Sequence, residues 1–200
     1  MEKQKTNKSK FRKFLFSELL IGKNTTHKIA YIAIFVALNV VVNTVGSIPL
    51  GFVQFSLTLF LSSLTGIMVG PLFGFSICFI GDTLGYFIGG GGGGSWTPWV
   101  GISMGIAAVL SATIIHLIPF KGKNWLYLKL FLICVATFFI CTYAIGTPVA
   151  YYYWNMRGLG YKEFVIARIS VQVWNNLINS LLLFVSVPLL NRIKPLQINL

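Results

Sequence analysis

The stretch EFVIARISVQVWNNLINSLLLFVSVPLL, residues Glu163 to Leu190, decides the fold. It is apolar and long enough to cross a bilayer, whose hydrocarbon core of roughly 30 Å takes about 20 helical residues. It also carries Arg168, Gln172, Asn175, Asn176 and Asn179. On a helix of 3.6 residues per turn these five fall close to one face. A guanidinium and four amides are expensive in hydrocarbon unless they find partners, so that face turns to a bundle interior, a water-filled cavity or a ligand. Hydrogen bonding between helices is the plain alternative for the same residues.

Outward from this span, the rest of the chain is of one kind. Of 200 residues, 56% are apolar and only 10% charged, against a charged fraction of roughly 25% in soluble domains. Five further apolar spans are expected, at about residues 28–46, 54–69, 71–88, 99–118 and 130–149, with Gly70-Pro71 turning the chain between the second and third. The predicted fold is an all-α integral membrane protein, a bundle of six transmembrane helices. Residues 1–27 form a basic tail in which Phe11 to Ile21 reads as a helix lying on the membrane surface. Residues 28–190 form the membrane domain, and 191–200 a short second tail.

The formal charge of +12 is clustered, which argues against a nucleic-acid partner. Eight of the sixteen basic residues precede the first span: Lys3, Lys5, Lys8, Lys10, Arg12, Lys13, Lys23 and Lys28. Lys121, Lys123 and Lys129 share a loop between spans four and five, and Arg192 and Lys194 follow the last. An even number of spans with both termini cytoplasmic places all of these on the positive inner side.

Three connections then face outward. One holds six glycines, Gly89 to Gly94, followed by Ser95, Trp96, Thr97, Pro98 and Trp99. A slack backbone ending in Trp96 and Trp99 has what a movable cover over a planar solute needs, though a linker without a role has the same composition. Another carries Tyr151, Tyr152, Tyr153 and Trp154, which read as interfacial anchors. Asp82 lies deep in span three at a depth like that of Arg168, so the two are expected to form a neutralising pair or to share the site. On span one, Ala30, Ala33 and Ala37 make a smooth face suited to another helix or another subunit.

No nucleophile, catalytic base, phosphate-binding loop or metal cluster is visible, and His27 and His116 are isolated. Cys78, Cys134 and Cys141 show no ligand spacing. No cofactor is expected. The pattern describes a solute site with no energy source of its own.

The segment Ala30 to Ala37, the run from Gly66 through Gly81, Asp82, Thr83, Leu84 and Gly85, and the amide-rich last span resemble the substrate-binding S component of energy-coupling factor (ECF) vitamin transporters. Leu64 to Gly74 with Gly81-Asp82 resembles the folate-type subgroup most. The resemblance implies a vitamin bound between the outer halves of the helices of a multi-pass protein in a prokaryotic plasma membrane. It also implies docking of the alanine face on a membrane coupling subunit, two cytoplasmic ATPases that supply the energy, and toppling in the bilayer to release the solute.

Folate ranks first among ligands. Arg168 suits an anionic vitamin such as folate or pantothenate, and a wide glycine-rich mouth suits cobalamin. The rival functions are a stand-alone secondary transporter, which lacks titratable groups beyond Asp82, a membrane enzyme, which lacks a nucleophile, and a ligand-free scaffold.

Overall fold

The computed structural model describes residues 17–21, 23–45, 47–50, 53–89, 96–118, 122–154 and 158–192. The elements run α1 (Glu18–Ile21), α2 (Thr25–Val45), β1 (Ser47–Leu50), β2 (Val53–Ser56), α3 (Thr58–Val69), α4 (Pro71–Ile88), α5 (Pro98–Leu117), α6 (Lys123–Thr137), a π-helical segment (Phe138–Gly146), α7 (Thr147–Trp154) and α8 (Tyr161–Leu190). Five helical stretches have the length and apolarity to cross a membrane: α2, α4, α5, the continuous run from α6 through α7, and α8. This is a helical membrane bundle.

The second predicted span is the place where the structure departs from an all-α bundle. Instead of one helix from Gln54, an antiparallel hairpin pairs Ser47 with Ser56 and Leu50 with Val53. The helix behind it, α3, has only 12 residues. At 1.5 Å per residue it is about 18 Å long, little more than half the hydrocarbon core. The predicted second span is thus divided between β2 and α3. Apolar residues in both halves give them the same hydropathy, so composition alone does not separate strand from helix.

Gly70 makes the tight turn from α3 into α4 with φ of 117°, a left-handed conformation that favours glycine, and Pro71 opens α4 where its missing N–H is no loss. At the start of α5, Thr97 caps the helix by accepting from Trp99 N at 3.4 Å, with Pro98 at the first position.

α4 packs between α2 and α5, and α3 lies against α5. These helices touch backbone to backbone: a Cβ on Gly66 would collide with the Ala108 carbonyl, and one on Gly85 would sit 2.7 Å from Asn43 Cβ. The α6–α7 run and α8 close the bundle against α5 and α3. Asn39 ties α2 to α3 by donating to Thr65 Oγ1 at 3.1 Å and to its own helix at Phe35 O.

At the Gly70 end, α1 is a single turn tucked onto the bundle. Ser17 donates from N to Val69 O at 2.8 Å and from Oγ to Met68 O at 2.5 Å, and Leu20 is fully buried. The described part of the expected surface helix is therefore docked on protein; residues 11–16 lie outside the described residues. Lys129 also departs from expectation. It sits within α6, buried, and its Nζ donates to Ile115 O at 3.2 Å, where a cation suits the carbonyl end of α5. Helix likewise continues through Tyr151, Tyr152 and Tyr153, where a loop was expected.

Candidate functional site

The polar face of α8 is buried as its spacing requires. Arg168, Gln172, Asn175 and Asn179 are each less than a tenth exposed, while Ile166 and Trp174 on the other face are about 73% and 67% exposed. Asn176 is the exception to the predicted stripe. It is half-buried and turns to a recess at the edge of the stripe that it shares with Asn179, Ser63, Thr137, Cys134 and Ser180, because one residue on from Asn175 is about 100° around the helix.

The inner two amides of the stripe hold the broken span together. Asn179 Oδ1 accepts from Phe60 N at 2.8 Å, and its Nδ2 donates to Ser56 O at 2.8 Å and Asn175 O at 2.7 Å. Asn175 Oδ1 accepts from Ser56 N at 3.2 Å, and its Nδ2 donates to Gln172 Oε1 at 3.2 Å. A strand end and a helix N-terminus in the membrane interior leave backbone groups with no water to satisfy them. Side chains from α8 take that role. Ser56 lies opposite the middle of the 30-residue α8.

Arg168 is left apart from this network. It is 8% exposed, its Nε has no hydrogen-bond partner, and a Cβ added to Gly146 would stand 3.9 Å from its Nη2. The expected pair with Asp82 is not formed. Asp82 instead takes Asn43, whose Nδ2 donates to Asp82 Oδ1 at 2.8 Å and to Asp82 O at 3.1 Å. Equal depth put the two charges at one level, but α4 turns Asp82 toward α2 and α5, away from α8. Asp82 is thereby supplied with a structural partner, and Arg168 Nε keeps an unspent donor among the described residues.

The aromatic candidates fall at the ends of the helices. Trp96 lies 5.8 Å from Phe87, ring to ring, and Trp99 is half exposed. Gly90 to Ser95, the rest of the expected cover, lie outside the described residues. Tyr151 packs edge-on against Tyr161 at 5.1 Å and Phe164 at 5.5 Å, joining α7 to the start of α8. Trp96 and Trp99 are not joined to the α8 stripe by any contact among the described residues. Ala30, Ala33 and Ala37 are all exposed on the outside of α2.

Asn43, Ser56, Ser103 and Gly146 shape the site without having stood out in the sequence. Asn39 and Asn43, four residues apart in an otherwise apolar span, carried a readable signal of a polar helix face. The three small residues carried none.

A bundle of long apolar helices with a buried amide face and a buried guanidinium has the build of a membrane protein that holds a polar solute. Residues 23–195 match the model of the family described as ECF-type riboflavin transporter, S component, and the chain belongs to that family. It is accordingly a vitamin transporter's substrate-binding subunit, and membership implies association with ECF transmembrane and ATPase modules. The match is to the riboflavin-type family and lends no support to the folate-type subgroup. No curated protein sequence matches the chain significantly.

Proposed function

We propose that this chain binds riboflavin for uptake, in a six-span topology with both termini cytoplasmic, in the plasma membrane of a prokaryote. The single observation that carries a ligand site is Arg168, a guanidinium buried in a long apolar helix whose Nε has no hydrogen-bond partner among the described residues. Ionisable groups inside membranes are retained where they contact solute, ions or each other. Two turns along, Asn176 Oδ1 is likewise buried with no hydrogen-bond partner among the described residues. Riboflavin has ring carbonyls for the Arg168 guanidinium, sugar-like hydroxyls for the Asn176 amide, and a flat ring for Trp96 or Trp99 to cover. The family match supports this choice of ligand.

A second reading follows from the same arginine. An unpaired cation favours a carboxylate through charge-assisted hydrogen bonds, so folate or pantothenate is the alternative ligand. Asp82 belongs to the site less directly, through the packing of α4. The exposed Ala30, Ala33 and Ala37 face is the surface we assign to the membrane coupling subunit.

Titration of the purified protein with riboflavin, folate, pantothenate and cobalamin separates these readings. Riboflavin is expected to bind with a Kd of roughly 1 nM, about −12 kcal/mol, and to quench its own fluorescence. Tight binding of a carboxylate vitamin alone would move the assignment to the second reading. Indifference to the whole panel would remove the vitamin site.

A further inference from the structure

The crossing from α6 to α7 is not α-helical throughout: nine residues, Phe138 to Gly146, form a π-helix. A π-helix widens the turn and closes hydrogen bonds one residue further along than an α-helix does, which is why such segments are rare and kept where a site needs the altered register. Two hydroxyls brace this one. Ser103, buried on α5, donates from Oγ to Cys141 O at 3.1 Å, and Thr147 donates from Oγ1 to Thr142 O at 2.9 Å. The wide turn ends at Gly146, where a Cβ would stand only 2.9 Å from Cys141 O and 3.9 Å from Arg168 Nη2.

We propose that Ser103, with Thr147, is a positioning residue for ligand binding: it holds the π-helical turn whose last residue, Gly146, lies against the Arg168 guanidinium and fixes where that guanidinium points. This rests on the reading above that Arg168 faces the vitamin. Ser103 touches neither ligand nor arginine in this account. It acts on a carbonyl that the wide turn would otherwise leave less well satisfied, and the turn in turn shapes the wall beside Arg168. Removing the hydroxyl lets the segment relax toward the α-helical register, which rotates Gly146 away and brings a bulkier neighbour to the arginine.

The test is a double-mutant cycle read by riboflavin fluorescence quenching on the purified full chain. Ser103→Ala is expected to weaken riboflavin at least fivefold, Ser103→Thr to restore it, and Ser103→Ala to add nothing further once Arg168→Lys is present. Thr147→Val should follow the same pattern, which keeps the test open if Ser103→Ala does not fold. Wild-type affinity in Ser103→Ala, or the same loss in the Arg168→Lys background, would overturn the proposal while leaving the site in place. Arg168→Lys with undiminished affinity would instead sink the site reading itself. Should the wild-type chain take no riboflavin, hydrogen exchange over residues 138–147 in the ligand-free protein still decides the bracing role: faster exchange in Ser103→Ala supports it, and unchanged exchange ends it.

Discussion

Asn43 on α2 donates one amide nitrogen to both the side-chain and the main-chain oxygens of Asp82 on α4, at 2.8 and 3.1 Å. Gly85 sits one turn beyond, where any Cβ would press on Asn43 Cβ at 2.7 Å. The close approach and the hydrogen bonds thus depend on each other, and together they account for a carboxylate 9% exposed in an apolar span.

Asn43→Ala is therefore expected to lower stability by about 1–3 kcal/mol, the cost of leaving a buried acceptor short of a donor. Thermal unfolding in detergent measures it. Vitamin affinity should be nearly unchanged in the folded fraction; a tenfold loss would move Asp82 from packing into the site.

Three residues of α8 should separate into two groups. Arg168→Ala and Asn176→Ala are expected to weaken vitamin binding tenfold or more, at least about 1.4 kcal/mol, with little change in unfolding temperature. Asn179→Ala leaves Phe60 N and Ser56 O without their partner and should instead lower stability by about 1–3 kcal/mol. Equal effects of all three on stability alone would make the whole stripe structural.

At Gly66 a methyl group meets a backbone carbonyl that cannot rotate aside. Gly66→Ala is expected to destabilise by about 1–3 kcal/mol or more through overpacking, seen as a lower midpoint of unfolding. An unchanged midpoint would mean that α3 and α5 separate more easily than their contact implies.

Ala33→Trp and Ala37→Trp, on the exposed face of α2, should spare vitamin binding and abolish uptake in cells that supply the coupling subunits. Normal uptake would show that this face meets lipid only.

Much of the bundle was legible in the sequence. Pro71 to Ile88 was marked at its start by a Gly-Pro step and reappears with the same limits, and the last span lengthens only by its first turn. Hydropathy reports burial in lipid, which these helices share. It is blind to backbone conformation, so Gln54 to Ser56 read as the start of a helix when they belong to a strand. The Arg168 stripe was visible because helical period is encoded locally. Its partners were not: that Asn179 would meet Ser56 and Asp82 would meet Asn43 depends on how each helix is rotated, which spacing within one span does not specify. The π-helical segment left no trace either, since Phe138 to Gly146 is as apolar as any α-helical span.

The backbone contact between Gly66 and Ala108 has a mechanical consequence. Side chains let packed helices slide by changing rotamer, but main chains in contact have nothing to rearrange and must first part, at the loss of their dispersion contacts. α3, α4 and α5 accordingly behave as one stiff plate. Solute can leave such a body by tilting the plate as a whole or by yielding of the parts held to it through side chains, the hairpin and α8.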